Sequence, residues 1–448
     1  MPAAKRDLVP FGEAVRTWAV ISLQSFGGPA GQIAVMQRIL VDEKRWIGQR
    51  RFLHALNFCI LLPGPEAQQL AIYTGWLLNG TRGGLVAGTL FVLPGVAALL
   101  ALAAIYVAFG EAPLVVAIFA GLAPAVVAIV IQAVVRIGRR VVSHPALLSI
   151  AVAAFLAIAI FGVQFPVVVV AAAVAGWALG RWLPNAIAST GHAQADGETA
   201  VLRDDALPEQ ASSGRRGVRI LALSVALWCA PLALAAVLLG FDSTVTQQGL
   251  FFSGTALISF GGAYAVLTFV AQRAVEVYAW VTPGEMVRGL ALAETTPGPL
   301  IMVVQFVAFL GAFRAPGELA PWLAAVLGAL LTTWVTFVPC FAFIFLGAPY
   351  VERLRGNATL TAALTGVTAA IVGVIANLAF FFAVHTLFRR VQTAAFVRLD
   401  LPVWSSVRPV ELAIAVAALV MIFVARWSVL RTLGCCAGLG LLAAVVLR

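Results

Sequence analysis

Apolar runs of roughly membrane-spanning length follow one another along almost the whole chain, and this constrains the fold more than any other feature. The runs lie near residues 14–36, 52–78, 84–109, 113–135, 146–161, 165–183, 218–240, 249–271, 287–313, 320–347, 358–388, 409–425 and 427–447. A membrane-crossing helix takes about 20 apolar residues. A soluble domain is about 25% charged, whereas this chain of 448 residues is 62% hydrophobic and 11% charged. We therefore expect an all-α polytopic membrane protein, which excludes a soluble enzyme, a disordered chain and a nucleic-acid-binding protein.

The charged residues and cysteines argue against catalysis and against cofactors. Lys plus Arg is 29 and Asp plus Glu is 19, a net charge of +10, which we attribute to the enrichment of cytoplasmic loops in basic residues. Lysine occurs only at Lys5 and Lys44, neither of which follows a glycine, so the phosphate-cradling Gly-Lys-Ser/Thr motif is absent. The five cysteines lie in apolar runs without metal-ligand spacing. We expect neither an enzyme nor a bound cofactor or metal.

An internal repeat divides the chain into two halves. The Ser-Phe-Gly-Gly at residues 25–28 recurs at 259–262, and Pro-Gly-Pro at 63–65 recurs at 297–299 with the same offset. Ten of the 41 aligned positions are identical, including one tryptophan, which apolar bias alone does not explain. Further on, Pro94 matches Pro339 after an insertion. The sequence predicts a first repeat at 11–183, a polar linker at 184–217 and a second repeat at 218–448.

The number of membrane crossings between the two copies predicts that they have opposite orientations. Each apolar run could cross the membrane once, or the glycine- and proline-rich runs could enter and leave on the same side. In both cases an odd number of membrane crossings separates the two copies. Such inverted repeats are common in secondary transporters. The loop at 37–51 carries a net charge of +3, and its counterpart, counted as far as Arg288, is neutral, which agrees with opposite sides. The four arginines of the loop between Arg389 and Arg408 do not fit this arrangement.

The two Pro-Gly-Pro segments interrupt apolar runs and predict broken helices. Proline fixes φ and lacks an N–H, so a Pro-Gly-Pro sequence cannot lie inside a continuous helix. A half-helix that begins after such a break presents free N–H groups and a positive dipole end, which suit an anion. Paired interruptions in the two halves of a membrane protein indicate a transport site, although kinks in packed helices are the structural alternative.

Several polar residues lie beside these breaks. Glu66 follows Pro65 directly, where it would either stabilise the helix start or act as a protonatable gate. Gln68 and Gln69 could donate hydrogen bonds to an oxyanion, whereas Gln132 and Gln305 could do so or could equally join neighbouring helices. Glu294 lies three residues before the second Pro-Gly-Pro and is not the symmetry mate of Glu66, which aligns with Leu300.

The combined motifs resemble the chromate ion transporter (CHR) family in its long, two-domain form. The resemblance is carried by residues 26–32, Trp46, Asn57, residues 61–69, Gly84 and residues 91–95 in the first half, and by residues 259–262 and 297–299 in the second. In the second copy Pro29 is replaced by Ala263 and Glu66 by Leu300. We therefore expect the two half-sites to bind unequally.

The resemblance implies a secondary transporter that exports chromate, a sulfate-like dianion, across the bacterial inner membrane and so confers chromate resistance. Because moving one charge is worth about 2.3 kcal/mol per 100 mV, a dianion leaving a negative interior gains about 4.6 kcal/mol. The alternative is the same fold carrying another oxyanion such as sulfate. The expected partners are the anion and the lipid bilayer, without nucleic acid, and a homodimer is left open.

The candidate substrate-binding residues combine the breaks, the glycine turns and the polar neighbours. They are Phe26, Gly27, Gly28, Gln32, Asn57, Pro63, Gly64, Pro65, Glu66, Gln68 and Gln69 in the first repeat, and Ser259, Phe260, Gly261, Gly262, Glu294, Thr295, Thr296, Pro297, Gly298 and Pro299 in the second.

Overall fold

A computed structural model describes residues 8–60, 62–183, 214–260, 262–347, 358–393 and 400–446 of the chain. Most of the predicted linker, at 184–213, and the candidate residue Gly261 lie outside the described residues. The described part is helical apart from two short strands. Its α-helices are α1 Phe11–Gln24, α2 Gly28–Gln37, α3 Gln49–Ile60, α4 Glu66–Phe109, α5 Pro113–Val141, α6 Pro145–Ala159, α7 Phe165–Trp182, α8 Gly214–Leu239, α9 Thr244–Ile258, α10 Ala263–Gln272, α11 Pro283–Thr295, α12 Val303–Arg314, α13 Pro321–Gly347, α14 Ala358–Leu387, α15 Pro409–Phe423 and α16 Val429–Val446.

Seven of the described helices are long and apolar enough to cross a membrane, namely α4, α5, α7, α8, α13, α14 and α16. Large apolar side chains project from them, as at Leu223 and Val237 on α8, which are 59% and 83% exposed. Contiguous apolar surface of this kind is unfavourable in water and is covered by lipid in a membrane protein. The prediction of an all-α polytopic membrane protein is confirmed.

The repeat seen in the sequence is also seen in the order of elements. In each copy a helix ends at the Ser-Phe-Gly-Gly turn, a ten-residue helix follows, and a π-helical segment continues it, at Arg38–Glu43 and Arg273–Val277. A further helix, α3 or α11, then leads to the Pro-Gly-Pro break. Since π-helical turns are rare, their recurrence at the same place supports a real duplication.

Two compact units make up the chain, and each contains segments from both sequence repeats. The first unit comprises Met1–Ala101, His192–Ala263 and Thr296–Gly356. Its core includes Trp18, Phe52 and Phe91, all buried. Within this unit α13 packs on α8, α9 and α12. Both breaks and both glycine turns therefore belong to one unit.

The second unit comprises Leu102–Gly191, Tyr264–Thr295 and Asn357–Arg448. In it α14 packs against α5, α6 and α7, while α15 and α16 pack against α5. Glycines bring these helices together: Gly176 on α7 lies against the backbone of Gly366 on α14. Small residues at such crossings let helix backbones approach closely, which is how helices associate in lipid.

Helix α4 is two helices rather than one. Asn79 and Gly80 have non-helical backbone angles within it, and the Asn79 amide donates to Val9 O at 2.6 Å. The kink falls between the apolar runs at 52–78 and 84–109.

The arginine-rich loop near 389–408 contains a small hairpin in which Val391–Thr393 pairs antiparallel with Asp400–Pro402.

Candidate anion-binding site

Both Pro-Gly-Pro segments are breaks in the helical backbone, as predicted. We call residues 63–65 the first break and residues 297–299 the second break. Gly64 has φ of +121° and Gly298 has φ of +102°, a conformation that side-chain-bearing residues rarely adopt. Helix α4 begins at Glu66, directly after the first break, and a 3₁₀ turn at Leu300–Met302 follows the second. The glycine between the prolines is therefore required by the backbone.

Each break is hydrogen-bonded to the glycine turn of the other repeat. Gly64 N donates to Ser259 O at 2.9 Å, and Gly298 N donates to Ser25 O at 3.0 Å. The two bonds are related by the same 234-residue offset as the motifs. This arrangement defines two candidate half-sites, in which the break of one copy is bonded to the serine of the Ser-Phe-Gly-Gly motif of the other.

Gly95 on α4 and Cys340 on α13, which follow the matched prolines of the two repeats, pack against the breaks. A methyl group added to Gly95 on α4 would lie 2.7 Å from Pro297 O at the second break. A methyl group added to Gly64 at the first break would lie 2.9 Å from Cys340 Sγ on α13. Gly95 and Cys340 follow the matched prolines Pro94 and Pro339. Each break is thus enclosed by a turn and a helix from the other repeat.

Two buried glutamines hold the carbonyl groups of the breaks. Gln32 Nε2 donates to Gly298 O at 2.5 Å, and Gln69 Nε2 donates to Pro63 O at 2.5 Å. Because both partners are carbonyl oxygens, the amide nitrogens must face them. The Oε1 atoms of Gln32 and Gln69 point elsewhere and have no hydrogen-bond partner among the described residues.

Gln68 is the most conspicuous polar residue of the first half-site. It lies in the first turn of α4, it is 0% exposed, and neither of its amide atoms has a hydrogen-bond partner within the described ranges. Buried polar groups in folded proteins nearly always have partners, so an amide without one among the described residues is available to bind a ligand or a water molecule. Its Nε2 donor, next to the N–H groups of a helix start, suits an oxyanion.

Glu66 lies against the glycine turn of the second repeat. A methyl group added to Gly262 would lie 3.1 Å from Glu66 Oε1. In the first turn of α4 the carboxylate is well placed to stabilise the positive end of the helix dipole. The second copy has Leu300 at this position, so the two half-sites differ by one carboxylate.

The remaining candidates are spread more widely. Phe26 and Phe260 are half-buried in the glycine turns, and Asn57 is exposed on α3. Gln305 is used fully in joining helices, since its Nε2 donates to Val96 O at 3.0 Å and its Oε1 accepts from Thr333 Oγ1 at 3.1 Å. Thr295 Oγ1 donates to Leu292 O at 2.9 Å.

Three contributors to the half-sites were not among the residues chosen from the sequence. They are Ser25, whose carbonyl group holds the second break, Gly95 and Cys340. Ser25 belongs to the repeated Ser-Phe-Gly-Gly motif, and Gly95 follows Pro94 in the Leu-Pro-Gly segment. Both residues could therefore have been chosen from the sequence repeat. Cys340 could be found only through the Pro94–Pro339 match.

Glu294 belongs to the second unit and is 1% exposed at the end of α11. Its Oε1 accepts a short hydrogen bond from the Tyr264 hydroxyl. Its Oε2 is buried and has no hydrogen-bond partner in the part of the chain that the structure describes. It therefore differs from Glu66 both in its surroundings and in its place relative to the break.

Comparison with known proteins assigns the chain to a family. The chromate transporter family profile matches residues 12–177 and 246–441. The chain is 34% identical to the chromate transport protein of Pseudomonas aeruginosa, over 79% of this chain and 76% of that protein. It is 29% identical to the chromate transport protein of Cupriavidus metallidurans, over 78% and 77%. A probable chromate transport protein of Synechococcus elongatus is 26% identical over 79% of each chain. No solved structure matches the chain. The chain belongs to the chromate transporter family.

Proposed function

We propose that the protein is a secondary transporter that carries chromate out of the bacterial cytoplasm across the inner membrane. Family membership supports the substrate class, and the seven apolar helices support a multi-pass membrane location. The observation that carries the proposal is Gln68, a fully buried amide with no hydrogen-bond partner among the described residues, at the first helix break.

The half-sites suit a tetrahedral oxyanion. At the first break the start of α4 supplies a positive dipole end, and Gln68 supplies a buried donor. At the second break the position that matches Gln68 is Met302, which has no N–H donor in its side chain. The first half-site is therefore the better anion seat, and the second is its structural counterpart.

Alternating access follows from the repeat in this proposal. If the two copies have opposite orientations, exchanging their conformations opens the site to the opposite side of the membrane. The bonds between Gly64 and Ser259 and between Gly298 and Ser25 would then strengthen and weaken in turn. The membrane potential alone supplies about 4.6 kcal/mol per 100 mV for an exported dianion, so ATP is not needed.

Chromate uptake into everted membrane vesicles tests the function. Vesicles from cells that express the chain should take up chromate with saturation, and excess sulfate should inhibit the uptake. Saturable uptake of sulfate in place of chromate would show the same fold with the alternative substrate. Vesicles that contain the folded protein but take up no more of either anion than empty-vector vesicles would overturn the proposal.

The variant Gln68→Leu tests the site. Replacing an orphaned buried amide with an apolar side chain of similar size is neutral or stabilising for the fold, so we expect normal thermal stability and loss of chromate uptake. Gln305→Leu is the variant for comparison, because Gln305 has hydrogen-bond partners at both amide atoms. Removal of these two hydrogen bonds should lower thermal stability, in contrast to Gln68→Leu. Full uptake by Gln68→Leu would exclude this residue from the site.

A further inference from the structure

Two glutamates are buried on α11, and they differ in how their oxygens are satisfied. Glu285 at the start of the helix is 8% exposed. Its Oε2 accepts from Thr282 N at 2.9 Å and from Thr282 Oγ1 at 3.0 Å. Glu294 at the end of the helix is 1% exposed and has one oxygen bonded and one orphaned within the described residues. The first is a structural cap, and the second has an unsatisfied atom that needs an explanation.

Opposing influences act on the Glu294 carboxyl group. Removal from water penalises an ionised carboxylate heavily unless the charge is paired and hydrogen-bonded, and the buried Oε2 lacks a partner among the described residues. The hydrogen bond from Tyr264 and the positive charge of Arg136 on α5 favour the ionised form. A carboxyl group balanced in this way changes its protonation when a further charge or water approaches.

The other helices packed against α11 bring no second carboxylate to this place. Helices α5, α14 and α16 pack on it. Their titratable and charged side chains are Arg136, Arg139 and Arg140 on α5, His385 on α14, and Arg431, Cys435 and Cys436 on α16. His385 Nε2 lies 3.6 Å from Asp400 Oδ2. On α11 itself Arg288 donates to the Tyr106 hydroxyl at 2.9 Å.

The chain places this carboxyl group immediately before the second break. Only Thr295 and Thr296 separate Glu294 from Pro297, so two residues of chain join this carboxyl group to the second break. A dianion held near the breaks would repel an ionised Glu294, and equally an ionised Glu66 in the first turn of α4, because like charges in a site raise the cost of ionising both. The first copy has Ile60 at the position of Glu294, so the group is present once per chain.

We propose that Glu294 is the proton-binding residue of the transport cycle, and that the anion is bound only when this carboxyl group is protonated. The inference rests on the proposed anion transport. A hydronium ion on the side where the anion enters gives its proton to the Glu294 carboxylate, so that one O–H bond of hydronium breaks, a water molecule is left and an O–H bond forms at the carboxyl group. On the side where the anion is released this O–H bond breaks again, and the proton passes to a water molecule to form hydronium. One proton and one dianion then move together with a net charge of −1, so the membrane potential drives export with half the free energy available to the dianion alone.

The test is the pH profile of chromate uptake in vesicles with the same pH on both sides. Uptake by the unchanged protein should fall as the buffer goes from slightly acidic to alkaline. Glu294→Gln, which stays neutral, should lose this protein-dependent fall. The protonation of chromate itself affects every variant equally, so the difference between variants reports the protein. Glu285→Gln is the matched control and should keep the original profile, because glutamine also serves in a capping box.

A second variant keeps the proposal testable if Glu294→Gln does not fold. Tyr264→Phe removes the donor that stabilises the ionised carboxylate, so Glu294 should hold its proton to higher pH and the fall in uptake should move to more alkaline buffer. An unchanged profile in Tyr264→Phe, or a profile of Glu294→Gln that parallels the unchanged protein, would overturn the proposal. Absence of saturable anion uptake by the unchanged protein would instead overturn the transport function.

Discussion

Replacing Gly64 with alanine tests whether the first break needs its glycine. The residue has φ of +121°, and the added methyl group would lie 2.7 Å from Gln69 Nε2 and 2.9 Å from Cys340 Sγ. A side chain in such a backbone conformation costs about 1–3 kcal/mol, and overpacking a buried site costs about 1–3 kcal/mol more. The expected loss of stability is therefore about 2–6 kcal/mol, adding the two contributions.

The matched control is Gly254→Ala. This glycine lies on α9 in the same unit, with helical backbone angles and nothing within 4 Å of an added methyl group. Alanine is favoured over glycine inside a helix by about 1 kcal/mol, so the control should be as stable as the unchanged protein or slightly more stable. Tryptophan fluorescence during heating measures stability on purified protein, and chromate uptake in vesicles measures function.

Adding Cys340→Ala to Gly64→Ala measures the part of the loss that comes from the contact with sulfur, while the contact with Gln69 remains. The second change removes the sulfur that the new methyl group would meet, and it leaves the backbone conformation as it was. We expect the double variant to recover part of the stability but not all of it. If Gly64→Ala melts at the same temperature as Gly254→Ala and transports chromate at the same rate, the reasoning about the break is refuted.

Two further changes act on defined hydrogen bonds. Gln32→Leu leaves Gly298 O without its donor, so we expect the free energy of unfolding to fall by about 1–3 kcal/mol and chromate uptake to become slower. Tryptophan fluorescence during heating and uptake in vesicles measure the two effects. An unchanged melting temperature would contradict this. Thr282→Ala removes the hydroxyl that donates to Glu285 at the start of α11, so stability should fall by about 0.5–2 kcal/mol. The chromate concentration that half-saturates uptake should stay the same. A changed half-saturation would show that this cap also shapes the site.

The local features of the fold could be predicted from the sequence. The Pro-Gly-Pro sequence predicts the interruptions at Pro63 and Pro297, and helix α4 begins at Glu66 directly after the first of them. A single proline is a weaker signal, since Pro94 lies inside helix α4. The long apolar runs predict the membrane helices, since period and composition are local properties of a segment. The kink at Asn79 falls where two runs were drawn separately.

The contacts between repeats could not be predicted in the same way. A shared offset shows that two segments are similar, and it says nothing about which of them touch. The hydrogen bonds from Gly64 N to Ser259 O and from Gly298 N to Ser25 O depend on how distant parts of the chain pack. The ambiguity of Gln305 was resolved only by its two bonded neighbours, and the orphaned amide of Gln68 is visible only once the surrounding atoms are placed.

The exchange of hydrogen bonds between the copies makes each half of the sequence incomplete by itself. Gly64 N has its acceptor in the second repeat, and Gly298 N has its acceptor in the first. A buried backbone N–H without an acceptor is costly, so neither repeat could form its own break in the conformation described here without a second copy. A single-repeat ancestor with the same break geometry would have had to find those acceptors in another molecule, and the duplication would then have turned an obligatory dimer contact into an internal one.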